Sequence, residues 1–225
     1  MGGSVPNAKR KVFVVDDHPV FREGLVGIIA QQKDLTVCGE AADAAETLKA
    51  IRASAAELAV IDISLDGMNG IDLIKSLRSS YPKLRLLVVS MHAEMLHAER
   101  ALRAGANGYV MKKEKGAQLL EAIRTTLDGK VFLSAAMNEQ ILQRVTGGVD
   151  IGKRPMTHGL SDREYQVFQF IGQGYGTRQI AEALNVSMKT VETHREHIRE
   201  KLKLGNTFEL VQRAIHWMHH ERESA

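Results

Sequence analysis

Leu58-Ala59-Val60-Ile61-Asp62-Ile63-Ser64 is a run of four apolar residues ending in a single carboxylate. A short unbroken apolar run of this kind suits a strand buried on both faces of a parallel sheet. Asn69-Gly70 follows, and the spacing of Ile71, Leu73, Ile74 and Leu77 then predicts a helix over 71–80. Strand followed by helix is one βα unit. An acid at the carboxyl end of such a strand stands where open α/β sheets place their ligands.

The same unit recurs on both sides of this stretch. Lys11-Val12-Phe13-Val14-Val15 is a second buried-strand run, and it ends in Asp16-Asp17. His18-Pro19 opens a helix, with Pro where its missing N–H costs nothing, and Val20, Leu25, Ile28 and Ile29 are its apolar residues. A strand near 35–39 leads to an Ala-rich helix over 43–54. After Tyr81-Pro82 breaks the helix of the Asp62 unit, Leu84-Arg85-Leu86-Leu87-Val88-Val89-Ser90 is a fourth strand. A helix near 94–104 ends at Gly105, and Tyr109-Val110-Met111-Lys112 leads to a helix over 116–128. Five strands alternating with five helices predict a doubly wound parallel sheet of flavodoxin-like type.

Asp16, Asp17, Asp62, Ser90 and Lys112 all fall at carboxyl ends of these strands, so they converge on one edge of the sheet. Three clustered carboxylates repel one another unless a cation is present. Mg²⁺ suits such a site, being hard, oxygen-seeking and content with a few carboxylates plus water. Lys112 adds a point charge and Ser90 a hydroxyl, groups that a phosphoryl oxygen wants. The chemistry favoured is phosphoryl transfer onto Asp62. Taken singly, Asp16 or Asp17 also fits a helix cap, Ser90 a satisfied hydroxyl and Tyr109 plain core; the joint arrangement favours the functional reading.

Residues 9–130 resemble the receiver domain of bacterial two-component response regulators. The resemblance rests on Val15-Asp16-Asp17-His18-Pro19, the Asp62 strand, Ser90 and Gly108-Tyr109-Val110-Met111-Lys112. It implies that Asp62 accepts phosphate from a sensor histidine kinase. It further implies that Asp16, Asp17, Asp62 and the Ser64 carbonyl hold Mg²⁺, that Lys112 contacts the phosphate, and that Ser90 and Tyr109 are the switch pair. Two positions depart from the family pattern: Asp66 stands where Pro is frequent, and Asn69 where Asp is frequent. His92 and Ser64 occupy positions that tune phosphate lifetime in receivers.

Composition frames this reading. With 225 residues, 44% hydrophobic and 25% charged, the chain has room for two ordinary globular domains. The single cysteine, Cys38, excludes an internal disulfide and a multi-thiolate metal site. No apolar run approaches the roughly 18 residues that span a bilayer, and the first residues lack an apolar signal core, so a cytoplasmic protein is expected. Net charge is only +3, so nucleic-acid binding must rest on motif and geometry.

Beyond residue 130 the pattern changes. Val131-Phe132-Leu133-Ser134 reads as extended, a helix is expected near 135–145, and the glycines and proline between 147 and 155 mark a flexible linker, so 131–158 is read as connection. Residues 159–222 then read as four helices. Ser161-Asp162-Arg163-Glu164 is a capping box opening the first, which carries Tyr165, Val167, Phe168 and Ile171. Thr177 is expected to cap the second, with Ile180, Ala181 and Leu184 inward. Asn185-Val186-Ser187 forms a tight turn before a third helix from Met188 to about Leu202, and Thr207 starts a fourth with Phe208, Leu210, Val211, Ile215 and Trp217. Two helices joined by so short a turn are a helix-turn-helix. In the third helix Val191, Ile198 and Leu202 form one apolar stripe, leaving Lys189, Glu192, Thr193 and Glu196 outward, as a major-groove reader needs, and Arg195, Arg199 and Lys201 nearer the edges.

Residues 159–220 resemble the LuxR-type output domain of NarL/FixJ-type regulators. The matching residues are Leu160-Ser161 with Arg163-Glu164, Gln179-Ile180-Ala181 with Leu184, Ser187 with Lys189-Thr190-Val191-Glu192-Thr193-His194, and Lys201-Leu202. The resemblance implies a double-stranded DNA contact set of Lys189, Thr190, Glu192, Thr193, His194, Arg195, Glu196, Arg199 and Lys201, and a homodimer on the promoter. Thr207 replaces an Arg frequent at that position. The expected function is a DNA-binding transcriptional response regulator switched at Asp62, not an enzyme beyond its own phosphorylation and dephosphorylation. Phosphatases of the haloacid dehalogenase type also form an aspartyl phosphate, but they want an acid where Ser64 stands. A quorum-sensing regulator needs a ligand cavity in place of the acidic cluster, and a phosphorylation-independent docking module has no use for the complete acidic set.

Overall fold

Alternation along each strand decides how the sheet is covered. In β1 (Arg10–Val15), Phe13 and Val15 join one apolar cluster and Val12 and Val14 another. β3 (Leu58–Asp62) repeats the pattern, with Ala59 and Ile61 on one side and Leu58 and Val60 on the other. Successive side chains point to opposite faces, so both faces must be covered by helices. α1 (Pro19–Ala30) and α5 (Gly116–Leu127) cover one face through Leu25, Ile29, Leu119 and Ile123. α2 (Ala44–Ser54) and α3 (Gly70–Ser80), together with α4 (Glu94–Ala104), cover the other through Ile51, Ile74, Leu77, Ala98 and Ala101.

The computed structural model describes residues 8–65, 70–91, 94–135, 137–139 and 159–223. With β2 (Leu35–Ala41), β4 (Arg85–Ser90) and β5 (Gly108–Met111), the strands form one parallel sheet in the order β2-β1-β3-β4-β5. This is the expected flavodoxin-like, doubly wound class. β3 is central, flanked by β1 and β4, so the ends carrying Asp16 and Ser90 bracket Asp62. Phe132 adds a single bridge beside Gly108. Of the helix expected near 135–145, residues 135 and 137–139 are helical, and the remainder lies outside the described residues with the linker, Asp66, Asn69 and His92.

Two local features fix the ends of the sheet, Gly70 beside the site and Arg78 at the opposite, amino ends of β4 and β5. A Cβ on Gly70 would overlap the Asp62 carbonyl oxygen, so only glycine lets α3 start this close to β3. Arg78 on α3 donates to four acceptors around the α4–β5 turn and the start of β4: the carbonyls of Gly105, Pro82 and Leu84 and the Asn107 Oδ1, at 2.7 to 3.1 Å. Val20, expected among the apolar residues of α1, is 85% exposed, because the inward stripe runs through Leu25 and Ile29 one and two turns later.

The chain divides into two compact units, Met1–Thr146 and Gly147–Ala225. The second holds α6 (Asp162–Gly172), α7 (Thr177–Ala183), α8 (Met188–Leu202) and α9 (Thr207–Glu223). Ser161 closes the capping box with Glu164 in both directions. Gly176, not Thr177, is the N-cap of α7; Gln179 reaches back to the Gly176 amide, and the Thr177 hydroxyl is used elsewhere. Asn185 takes φ 50° and Ser187 caps α8, which makes the turn between α7 and α8 short. Phe168, Ile171, Ile180, Leu184, Val191, Ile198 and Leu210 fill the core. Trp217 packs edge-on to Tyr165 at 5.5 Å and tilted on Phe168 at 5.6 Å, so this part of α9 covers its own unit. Phe208 and Ile215 stay exposed.

Candidate functional site

Asp16, Asp62 and Lys112 are almost wholly buried at the carboxyl end of the sheet. The Lys112 Nζ lies 2.7 Å from Asp16 Oδ2 and 2.7 Å from Asp62 Oδ2. Asp62 Oδ1 accepts from the Ser64 amide at 2.9 Å, and Asp16 Oδ1 accepts from the His18 amide at 2.9 Å. The Asp17 carboxylate is a little more open, with its Oδ1 2.6 Å from His18 Nδ1. The four residues Asp16, Asp17, His18 and Asp62 each bring one ligand atom within 4.8 Å of the others. Burial pushes the Asp62 carboxyl above the usual carboxylate range; Lys112 and the Ser64 amide oppose this, and Asp16 adds to it. Such a set of carboxylate oxygens is what a hard divalent cation takes.

Ser90 is fully buried as the last residue of β4, and its carbonyl accepts from the Lys112 amide at 2.8 Å. Tyr109 is fully buried in β5, within the cluster that includes Ala98 and Ala101 of α4. Strand order therefore brings Asp16, Asp62, Ser90 and Lys112 to one end.

Three neighbours escaped the sequence reading. His18 stands at the mouth, 3.8 Å from Asp62 Oδ2. Arg22 donates to the Asp16 carbonyl at 2.6 Å. The Phe21 ring lies under the Lys112 ammonium, with 4.6 Å from Nζ to the ring centroid. His18 was within reach of inference, since it directly follows the acidic pair; nothing in spacing told that Phe21 points to Lys112.

On α8 the expected contact residues separate by what they touch. Lys189, Glu192, Thr193 and Glu196 are exposed. The Thr193 hydroxyl donates to the Lys189 carbonyl at 3.0 Å. Glu192 accepts from the Thr177 hydroxyl at 2.7 Å, and Arg195 also reaches Thr177, at 3.4 Å. Glu196 pairs with Arg199 at 2.8 Å, and Arg199 further donates to the Gly205 carbonyl. Thr190 belongs to the Ser187 cap, its hydroxyl 2.8 Å from that of Ser187. His194 is half-buried; burial and the charges of Arg163 and His197 push its pKa below the ordinary value, with Glu164 opposing. Lys201 reaches inward, not to the outer edge: its Nζ lies 2.7 and 2.9 Å from the two oxygens of the buried Glu164.

Comparison with known proteins places both units. Residues 12–124 match the response regulator receiver domain family, and residues 158–214 match the bacterial regulatory proteins, luxR family. The chain is 33% identical over 211 residues to the oxygen regulatory protein NreC of Staphylococcus epidermidis, covering 91% of this chain and 96% of that protein. A LuxR-family two-component response regulator of Aurantimonas sp. SI85-9A1 superimposes with TM-score 0.58 at 32% identity, over 62% of this chain and 99% of that one. RcsB of Salmonella enterica serovar Typhimurium, solved on promoter rprA, shares the fold with TM-score 0.65 at 24% identity, over 91% of this chain and 97% of that one. No helix among the described residues is long and apolar enough to cross a membrane. The chain belongs to the two-component response regulators of NarL/FixJ type, transcriptional regulators that join a receiver domain to a LuxR-type DNA-binding domain.

Proposed function

We propose that a sensor histidine kinase phosphorylates Asp62 and that this controls promoter binding by the C-terminal domain in the cytoplasm. The observation that carries the reading is the buried Asp62 carboxylate, held 2.7 Å from Lys112 and gathered with Asp16 and Asp17 on the central strand's flank. In the transfer, the bond from phosphorus to the kinase imidazole nitrogen breaks and one from phosphorus to an Asp62 oxygen forms. Asp16, Asp17, Asp62 and the Ser64 carbonyl would hold Mg²⁺, which supplies charge neutralisation for the transferring oxygens. Lys112 and Ser90 would donate to the phosphoryl group, and Ser90 with Tyr109 would carry the change toward α4. Water would later take the phosphoryl group from Asp62, the only other chemistry assigned to the chain. We assign 9–130 to the receiver, 131–158 to the connection and 159–222 to DNA binding.

One recognition helix reads few base pairs, at roughly 1–3 kcal/mol each, so a homodimer on two half-sites is proposed. Two RcsB dimers have been solved on two parallel DNAs, at TM-score 0.56 and 25% identity to this chain, which supports that arrangement. The exposed Phe208 and Ile215 of α9 are the residues offered to a second copy.

Binding-site selection tests the DNA reading. Thr193→Ala is expected to change the preferred operator at one position, since the methyl of this exposed threonine can pack on a thymine methyl. Glu196→Ala is expected to alter preference too, because an outward glutamate can accept from a cytosine amino group. Arg199→Ala should lower affinity for all sequences and flatten the salt dependence without reordering them. Identical preferences in wild type and both central variants would remove α8 from the reading role.

A further inference from the structure

We propose that Phe21 is a positioning residue for phosphoryl transfer, acting through Lys112; the inference rests on the reading of Asp62 as phosphoacceptor. An ammonium has three N–H donors. Two directions at Lys112 are taken by Asp16 and Asp62 at 2.7 Å each, and the Phe21 ring stands 4.6 Å from the nitrogen. The Lys112 side chain is only 3% exposed, so bulk water does not serve the remaining direction. The negative face of an aromatic ring does, and more strongly where the cation is desolvated.

The ring's own position is fixed by the acidic strand end. Pro19 starts α1, the His18 amide donates to Asp16 Oδ1 at 2.9 Å, and Arg22 donates to the Asp16 carbonyl at 2.6 Å. The first turn of α1, carrying Phe21, is thereby tied to the residue that also grips Lys112. During transfer, one contact of Lys112 must change: its bond to Asp62 Oδ2 gives way to one with a phosphoryl oxygen. Asp16 and Phe21 are the two contacts that persist, so they hold the ammonium while the third is exchanged. A leucine at 21 would still pack against the cluster of Leu25, Ile29 and Leu119 but offer no negative face, and Lys112 would drift or draw in water.

The test uses the full chain with acetyl phosphate and Mg²⁺, where the phosphorus–oxygen bond to acetate breaks, acetate leaves with the electron pair, and Asp62 takes the phosphoryl group. Labelling rate is read by intact mass, and the Lys112 ε-methylene proton shifts by NMR without phosphodonor. Phe21→Leu is expected to slow labelling by roughly tenfold and to remove the ring-current shift on Lys112. Phe21→Tyr, which keeps the ring, is expected to retain both. Equal rates in wild type and Phe21→Leu would overturn the proposal, as would equal slowing in Leu and Tyr variants, which marks packing as the cause. If wild type itself takes no label, the phosphoacceptor reading fails, and unchanged Lys112 shifts in Phe21→Leu would sink the ring contact independently.

Discussion

Incubated with a small phosphodonor and Mg²⁺, the wild-type chain is expected to gain one phosphoryl group in intact mass, and the Asp62→Asn chain none. Asp62 ends the central strand, with the acids of β1 on one side and Ser90 of β4 on the other. A phosphoacceptor needs that arrangement, with cation ligands on one flank and hydrogen-bond donors on the other. Asp16 is equally buried, but its carboxylate is held by the His18 amide and Lys112, and its carbonyl by Arg22, at the flank of the cluster. The carboxamide that the substitution introduces has no anionic oxygen for attack, so the loss is complete rather than graded. Labelling that survives the substitution would refute the assignment.

Glu164→Gln is expected to lower the stability of the DNA-binding unit by about 2 kcal/mol at neutral pH. The glutamine keeps the shape that caps Ser161 but loses the charge that both Lys201 contacts use. Burial works against ionisation of Glu164, yet the Lys201 and Ser161 bonds outweigh it and hold the carboxyl below its ordinary value of 4.5. A carboxyl depressed in the folded state stabilises above its unfolded value, and that contribution disappears as pH falls through the folded value. The difference between wild type and variant should therefore be full above pH 4.5 and fade with further acidification. Trp217, the chain's one tryptophan, packs on Tyr165 and Phe168, so its fluorescence follows unfolding of this unit. A difference that is constant from neutral pH into the acid range would contradict the charge-based account.

The receiver fold was legible because its strands are buried on both faces. Continuous apolar runs in β1, β3 and β4 leave no choice of period, and the polar residue that ends each run marks the site. What escaped depends on where long side chains reach. Lys201 lies beside the buried stripe of α8 by angle, but only the three-dimensional position of Glu164 turns its ammonium inward. Arg78 carries no sequence signal at all, since three of its four acceptors are backbone carbonyls. Thr177 fits an N-cap by residue type, yet Gly176 takes that place and frees the hydroxyl to join α7 to Glu192 of α8. Phe21 is of this kind too: nothing in the apolar spacing of α1 marks its ring as facing a cation.

The central claim is that phosphate on Asp62 governs DNA binding. A near-complete inversion between inactive and active states requires phosphorylation to favour the active one by about 5.5 kcal/mol. The direct measurement is operator affinity of the full chain at fixed salt, with and without acetyl phosphate and Mg²⁺, for wild type and Asp62→Asn side by side. The account predicts a large phosphate-dependent change in affinity for wild type and none for the variant. Equal affinity of phosphorylated and unphosphorylated wild type, with the phosphoryl group verified by mass, would contradict it.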